Sequence, residues 1–159
     1  MKTQIEDKDL TKEAPHSPRE RFGDFAILGR TTDKCRASIT GKLGEYHFDC
    51  PLDNQLFSFK GIKADQFKQA VQSAKSYEDV AAWVEKNGNK KSPEEIKQWS
   101  DKMDKLKLTD IPTLKDPKRQ KEVKESCEKL GLDFDSATLF EWLEADDQAS
   151  YEHAEAHAK

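Results

Sequence analysis

The sequence contains only three cysteines among its 159 residues, and they are widely spaced. An odd number of distant cysteines argues against a disulfide framework and favours a reducing compartment. The sequence also lacks an apolar run long enough for a signal peptide or a membrane span. Its formal net charge of only −4 gives no general electrostatic reason to expect nucleic acid as a partner. We therefore expect a soluble cytoplasmic protein that binds neither membranes nor nucleic acid.

Charged residues are abundant instead. They make up 36% of the chain, against 35% hydrophobic residues, and the mean hydropathy is −0.96. The net charge is nevertheless small and the apolar residues recur with helical periodicity, so the chain does not have the composition of a disordered protein. We predict a flexible arm at 1–14, a single helical domain at 15–149 and a polar C-terminal tail at 150–159.

Helix-start signals recur along the chain. Ser92-Pro93-Glu94-Glu95 combines a capping box with a proline in the first turn, and Ser17-Pro18-Arg19-Glu20 has the same form. Gly41 and Gly131 follow apolar-periodic segments, as expected of helix ends. The patterns predict helices over 18–28, 30–40, 53–60, 64–75, 77–87, 93–106, 117–130 and 136–147.

The predicted fold class is all-α, a compact bundle of about six to eight short helices with one irregular segment at 41–52. A short strand pair within 42–60 remains an alternative, because Tyr46, His47 and Phe48 alternate in polarity. The expected core positions share helical spacing and are Phe22, Phe25, Leu28, Ile39, Phe67, Val71, Trp83, Trp99 and Leu139.

The segment 44–51, GEYHFDCP, concentrates reactive side chains. Cys50 precedes a predicted helix start, a position that favours cysteine nucleophiles. His47 could act as its base only if the loop curls, and Asp49 and Asp53 would oppose a thiolate. The alternative interpretation is a structural loop cysteine, which the sequence favours.

A metal site would need more ligands than the sequence offers. Cys35, His47 and Cys50 come closest to a zinc set, but no fourth ligand is evident and Cys35 lies on an apolar helical stripe. His153 and His157 would share a helical face, but they lie in the polar tail without other ligands. We therefore expect no metal and no cofactor.

The polar face of the helix predicted at 30–40 has two interpretations. Asp33 lies three residues from both Arg30 and Arg36, so an ion-pair cluster within the helix would explain all three. Alternatively, these residues line a pocket for a small anionic molecule, because arginine suits carboxylates and phosphates. The candidate ligand-binding residues of that pocket are Arg30, Asp33, Arg36, Tyr46, His47 and Asp53.

A series of short stretches runs from residue 9 to residue 147. They are Asp9-Leu10-Thr11-Lys12, Pro15-His16-Ser17-Pro18-Arg19, Arg30, Asp33-Lys34-Cys35-Arg36-Ala37, Gly41, Gly44-Glu45-Tyr46-His47, Pro51-Leu52-Asp53, Phe57, Phe59, Gly61-Ile62, Trp83, Ser92-Pro93-Glu94-Glu95-Ile96, Trp99, Leu139-Phe140-Glu141-Trp142-Leu143 and Ala145-Asp146-Asp147. This series resembles an uncharacterised bacterial family, the domain of unknown function numbered five thousand and sixty-nine. The resemblance implies a helical bacterial protein of the cytoplasm, but no reaction, ligand or partner.

Two residues depart from the family pattern. The pattern has alanine where Cys35 stands, which argues further against a metal set that contains this cysteine. It often has proline where Gly29 stands, which supports a helix start near this position, because proline suits a first helical turn.

Two functions are compatible with these observations. The first is a small helical binding or protein-interaction module, because grooves between helices bind amphipathic helices or small ligands. The second is a small-molecule enzyme with an Arg/Asp/Tyr/His pocket that acts on an anionic substrate. The partner is accordingly either an unknown protein or a small anionic ligand. A solvent-open pocket ringed by Tyr46, His47 and Asp53 would favour chemistry.

Overall fold

The computed structural model describes residues 2–158, with the side chains of residues 2–151. Within this range the chain forms seven α-helices and two short 3₁₀ helices, so the mainly α fold is confirmed. The α-helices are α1 (Leu28–Thr40), α2 (Pro51–Lys60), α3 (Ala64–Ser73), α4 (Tyr77–Lys86), α5 (Pro93–Lys105), α6 (Pro117–Leu130) and α7 (Leu139–Ala158). The 3₁₀ helices, Leu108–Asp110 and Pro112–Lys115, lie between α5 and α6 in the chain.

Side-chain caps explain several helix starts. Before α5, the Ser92 amide donates to Glu95 Oε1 at 3.0 Å and the Glu95 amide donates to Ser92 Oγ at 3.1 Å. This is the reciprocal capping box that the sequence predicts. Ser76 and Asp116 cap the starts of α4 and α6, each accepting a hydrogen bond from an amide in the first turn. The helices predicted at these three places are confirmed.

The helix predicted over 18–28 is wrong. Residues 18–27 contain turns, bends and an isolated bridge but no helix, and Asp24 and Ile27 have φ values of 67° and 75°, which a right-handed helix excludes. Phe22 and Phe25 instead pair with each other through two backbone hydrogen bonds of 3.0 and 3.2 Å. This tight reversal places both phenylalanine side chains in the interior.

A buried hydroxyl satisfies backbone groups that a helix would have paired internally. Ser100 Oγ accepts from the Ala26 amide at 2.9 Å and donates to the Asp24 carbonyl at 2.7 Å. Residues 25–28 are all buried, so their polar backbone groups need such partners. Tertiary contacts, which the local sequence does not reveal, therefore override the capping signal at 17–20.

Several element boundaries differ from the prediction by one or more residues. α2 begins at Pro51 rather than at Asp53, because Asp53 caps the helix from within by accepting the Cys50 amide at 3.3 Å. α7 continues to Ala158, beyond the predicted end at 147. The strand pair considered for 42–60 does not occur among these described residues, because α2 occupies their second half.

The polar tail predicted at 150–159 falls largely on residues whose side chains lie outside the described part of the chain. His153 and His157 are among them.

Met1–Ser100 form one compact unit. Its core gathers buried apolar side chains from helices α1 to α5 and from the segment that precedes them. Trp83 and Trp99 pack against this core while remaining partly exposed. Ile39 was expected in the core but is 38% exposed, because it lies in the last turn of α1, beyond the buried part of that helix. The expected core residues that are confirmed as buried are Phe22, Phe25, Leu28, Phe67 and Val71.

Asp101–Lys159 form a second compact unit. Leu139, expected in the core, is partly buried against a small apolar cluster in this unit. The Trp142 indole Nε1 donates to Ser126 Oγ at 3.0 Å and so ties α7 to α6. The prediction of a single domain at 15–149 stays a prediction. The buried members of the apolar cluster that Leu139 packs against are Leu108, Cys127, Phe134 and Ala137.

Candidate functional site around helix α1

Helix α1 is buried on nearly every side although it carries many polar residues. Arg30, Thr31, Thr32, Asp33 and Lys34 are consecutive in the chain, and all five are buried. Charged side chains are almost never buried without partners, because water no longer solvates them. Other segments must therefore supply polar partners to this helix. They do so in two clusters, each centred on a carboxylate.

The first cluster, here called the Asp33 cluster, consists of Asp33, His16 and Tyr77. Asp33 Oδ2 accepts from the His16 backbone amide at 2.8 Å and lies 2.6 Å from His16 Nδ1. Asp33 Oδ1 accepts from the Tyr77 hydroxyl at 2.5 Å. Asp33 is fully buried, and these donors replace the water that the carboxylate loses. The cluster thereby joins α1 to α4 and to the segment before α1.

The environment of the Asp33 cluster raises the pKa of both His16 and Tyr77. The hydrogen bond to Asp33 raises the pKa of His16, although partial burial of the imidazole acts in the opposite direction. Burial, together with the hydrogen bond to Asp33, raises the pKa of the Tyr77 phenol. The His16 ring also packs edge-on against Phe22 and Tyr77, with centroids 5.6 and 4.7 Å away. These contacts give His16 an architectural role.

The second cluster, here called the Asp53 cluster, joins α1 to the start of α2 and consists of Thr31, Lys34, Cys50 and Asp53. Thr31 Oγ1 donates to Asp53 Oδ1 at 2.7 Å, and Lys34 Nζ lies 3.0 Å from the same oxygen. The backbone amides of Asp49 and Cys50 donate to Asp53 Oδ2 at 3.0 and 3.3 Å. With four donors around its carboxylate, Asp53 holds the other groups in position.

Cys50 contributes the thiol of the Asp53 cluster. Its Sγ lies 3.1 Å from Lys34 Nζ, and Cys50 is the N-cap residue of α2. A neighbouring cation and a helix N-terminus are two settings in which cysteine nucleophiles occur. Cys50 is partly exposed, whereas Cys35 and Cys127 are buried. Burial raises the pKa of the Cys35 thiol to about 12 and also raises the pKa of Cys127, so neither is suited to nucleophilic chemistry.

The six residues predicted to line an anion pocket are only partly brought together. Arg30 Cζ lies 5.5 Å from the centroid of the Tyr46 ring, which is a cation–π contact between α1 and the 41–52 segment. His47 is exposed. Asp33 and Asp53 are buried in separate clusters, where donors already occupy their oxygens.

Arg36 binds other groups than those expected. Its Nη1 donates to Asp7 Oδ1 at 3.0 Å, and its Nη2 donates to the Ala74 carbonyl at 2.7 Å. The expected ion pair between Arg36 and Asp33 is therefore wrong, because the Asp33 carboxylate accepts from His16 and Tyr77 instead. Arg36 thus links the segment predicted as a flexible arm to the end of α3.

Sequence reasoning missed four members of the two clusters: His16, Thr31, Lys34 and Tyr77. Helical periodicity predicts which positions are apolar, but not that a polar helix is buried on all sides. His16 and Tyr77 lie 17 and 44 residues from Asp33 in the chain, so no local pattern connects them. The available signal was the run of five polar residues at 30–34 inside a predicted helix.

The residues that the structure describes form neither a metal-binding cluster nor a membrane-spanning helix. Among them, no group of three or more His, Cys, Asp or Glu side chains is arranged to hold a metal ion. The Cys35, His47 and Cys50 set therefore does not assemble there. No helix of the described chain is long and apolar enough to cross a bilayer. That folding requires no metal stays a prediction.

The family model described as "Domain of unknown function (DUF5069)" matches residues 12–149. The chain belongs to this family. The matched range contains every member of the Asp33 and Asp53 clusters, so both belong to the family domain rather than to an appendage. No curated protein matches the chain. The family description names no reaction, so the function has to be argued from the side chains.

Proposed function

We propose that this protein is a small-molecule enzyme in which Cys50 is the nucleophile and Lys34 is the cation beside it. The observation that supports the proposal is the 3.1 Å separation of Lys34 Nζ and Cys50 Sγ at the start of α2. Nucleophilic cysteines are activated by a nearby cation or a helix N-terminus, and Cys50 has both. Of the three cysteines, all within the described residues, Cys50 alone is not buried.

The substrate class that we propose is a small anionic molecule. Arg30 and Lys34 lie on the same helix, and Arg30 contacts Tyr46, which belongs to the same segment as Cys50. The N-terminus of α2 adds positive partial charge close to the sulfur. The Asp53 carboxylate is already engaged by four donors, which reduces its repulsion of an incoming anion.

Alkylation measures the proposed nucleophile directly. Iodoacetate is negatively charged and iodoacetamide is neutral. The rate with iodoacetate divided by the rate with iodoacetamide therefore reports the preference of Cys50 for anions. We expect this ratio to be higher at Cys50 than for a free cysteine in solution. Lys34→Gln should slow alkylation by iodoacetate by at least about fivefold, because a charge contact near a protein surface is worth about 1–4 kcal/mol.

Two further variants serve as controls for the alkylation experiment. Lys34→Arg keeps the positive charge and should retain most of the anion preference. Lys90→Gln removes an exposed lysine and should leave both rates unchanged. The proposal is wrong if Cys50 reacts no faster in the folded protein than in the unfolded chain. It is also wrong if wild type and Lys34→Gln, both shown to be folded by circular dichroism, react at equal rates.

Catalysis is tested separately with activated anionic esters and thioesters. An acyl adduct on Cys50, detected by mass spectrometry and absent from Cys50→Ser, is the expected covalent intermediate. Hydrolysis of these compounds at equal rates by wild type and Cys50→Ser would contradict the role of this cysteine.

A helical interaction module is the second candidate function, and a partly exposed aromatic stack favours it. The Phe59 and Trp99 rings stack with centroids 4.8 Å apart and planes 12° apart, and Lys91 Nζ lies 5.0 Å from the Phe59 centroid. Both rings are only partly buried. An amphipathic helix with an apolar anchor and a carboxylate would match Trp99 and Lys91.

Copurification from native cells tests the module. Quantitative mass spectrometry would compare wild type with Trp99→Ala and with Trp142→Ala, which removes a tryptophan from the second unit. A protein recovered in stoichiometric amounts with wild type and Trp142→Ala, but not with Trp99→Ala, is the expected result. Equal recovery with all three proteins would contradict a binding surface at Trp99.

We also propose a cytoplasmic location. Cys35, Cys50 and Cys127 are all free thiols, which is the form that a reducing compartment maintains. Fractionation of native cells, followed by detection of the protein with an antibody, would test this location. Recovery from an oxidising compartment would contradict it.

A further inference from the structure

The Lys34–Cys50 pair has the geometry for a covalent bond between its two side chains. Lys34 Nζ and Cys50 Sγ are 3.1 Å apart, although the residues are 16 positions apart in the chain. Lys34 is 3% exposed, and Asp53 Oδ1 holds its ammonium group at 3.0 Å. Thr31 and two backbone amides hold Asp53 in turn. A nitrogen nucleophile is thus kept beside the sulfur before any oxidant arrives.

We propose that hydrogen peroxide converts this pair into a reversible sulfenamide, with a covalent bond between Cys50 Sγ and Lys34 Nζ. In the first step the Cys50 thiolate attacks the peroxide, an S–O bond forms and the O–O bond breaks. Hydroxide leaves and Cys50 becomes a sulfenic acid. The sulfur loses two electrons, and the peroxide gains them.

Lys34 forms the cross-link in the second step. Its ammonium group gives one proton to Asp53, and the freed lone pair attacks the sulfur. The S–N bond forms and the S–O bond breaks, and the oxygen leaves as water with a second proton from the nitrogen. Asp53 then gives up its proton, which neutralises the hydroxide from the first step and forms the second water. Overall, one peroxide becomes two waters and each side chain loses one hydrogen atom.

The surroundings of Cys50 favour the lysine over other reaction partners. Sulfenic acids condense with thiols or with nitrogen nucleophiles, whichever is within reach. Cys35 and Cys127 are buried, so neither is an exposed thiol that could compete for the sulfenic acid. Lys34 Nζ is already in contact with the sulfur. The cross-link would join α1 to the start of α2 and would remove the free thiol. The claim that oxidation removes the nucleophile of an enzyme rests on the proposed function, whereas the formation of the cross-link does not.

Mass spectrometry of peroxide-treated wild-type protein tests the cross-link. We expect the intact chain to lose two hydrogen atoms in mass. A digest should contain a peptide pair joined between Lys34 and Cys50, and trypsin should no longer cleave after Lys34. Dithiothreitol should restore the original mass, because a thiol reduces the S–N bond.

Lys34→Arg is the matched control for the nucleophile. It keeps a positive charge beside Cys50, but its guanidinium group is a poor nucleophile, so sulfenic acid should persist at Cys50 and be trapped by dimedone. Wild type unfolded in urea should give no link between residues 34 and 50, because the contact is lost.

Two results with folded wild type would overturn the inference. One is a dimedone adduct or a sulfinic acid at Cys50 without the cross-link. The other is a Cys50 that stays reduced at peroxide concentrations that oxidise free cysteine. Neither result decides the alkylation experiment, so failure of this inference and failure of the proposed enzyme function are distinguishable.

Discussion

Helices α1 and α6 are similar in length and both carry many charges, but their environments are opposite. Nine of the 13 residues of α1 are buried, whereas Cys127 is the only buried residue among the 14 of α6. The charged side chains of α1 contact groups from other segments: Asp33 contacts an imidazole, and Lys34 contacts a carboxylate and a thiol. Most of the charged residues of α6 are exposed to water, so they pay no desolvation penalty.

The buried charges of α1 need an explanation that the exposed charges of α6 do not. A buried ion pair is weak evidence for stability, because apolar residues of the same volume often stabilise a protein equally well or better. The polar interior around α1 therefore needs another reason, and the contact between the buried Lys34 ammonium group and the Cys50 thiol is a candidate for it. α6, by contrast, is accounted for by its cap and its single buried face.

The largest effect should come from Asp33→Asn. The asparagine has the same shape, but its amide nitrogen would face donors that now bind a carboxylate oxygen. We expect the free energy of unfolding to fall by about 3–5 kcal/mol, the range seen when one partner of a buried polar pair is removed. Urea denaturation, followed by circular dichroism, measures this loss.

Glu122→Gln is the matched change on α6, where residue 122 is exposed. It should alter the free energy of unfolding by no more than about 0.5 kcal/mol. Similar losses for Asp33→Asn and Glu122→Gln would show that the two helices do not differ as their burial indicates.

A smaller effect is expected at the start of α6. Asp116 is its N-cap, and its carboxylate accepts from the Arg119 amide at 3.3 Å. Asp116→Ala should lower the free energy of unfolding by about 1 kcal/mol, the usual value for a lost N-cap. Asp116→Ser retains an acceptor and should recover most of the loss. If Asp116→Ala lowers the free energy of unfolding as much as Asp33→Asn does, the stability of α6 also depends on contacts beyond its own ends.

The sequence predicted the helices that are specified locally. The capping box at Ser92 and Glu95 and the N-cap at Asp116 act within one turn, so a sequence pattern is sufficient to find them. The false helix at 18–28 had the same type of signal. It fails because Phe22 and Phe25 form a reversal whose backbone is completed by Ser100, a residue far away in the chain. Only tertiary structure reveals that partner.

The candidate site was predictable in part, for the same physical reason. Cys50 and Asp53 lie at a recognisable helix start, and both were considered from the sequence alone. The contact of Lys34 with Cys50 was not predicted, because the distance between them depends on how α1 packs against the start of α2. The expected contact of Asp33 with Arg36 followed from helical spacing, but the buried Asp33 carboxylate has His16 and Tyr77 as its partners. Spacing within one helix cannot show which side of that helix is covered.

The smallest expected effect is a pH dependence that comes from the Asp33 cluster. Three neighbouring groups and burial act on the pKa of His16: Asp33 and Glu20 raise it, whereas burial and the charge of Lys8 lower it. The net result is a higher pKa in the folded protein, so the folded state holds this proton more tightly. The added stability is fully present below the unfolded pKa of about 6.5 and is lost as the pH rises through the higher folded value.

The urea midpoint should therefore fall as the pH is raised from about 6 to about 8. His16→Gln should flatten this profile, because glutamine does not titrate. His47→Gln replaces an exposed imidazole and should leave the slope as it is in wild type. Nuclear magnetic resonance titration of the His16 ring would give the folded pKa independently. A wild-type profile without slope, or a slope that disappears in His47→Gln and not in His16→Gln, would show that the Asp33–His16 contact does not bind its proton in the way the geometry indicates.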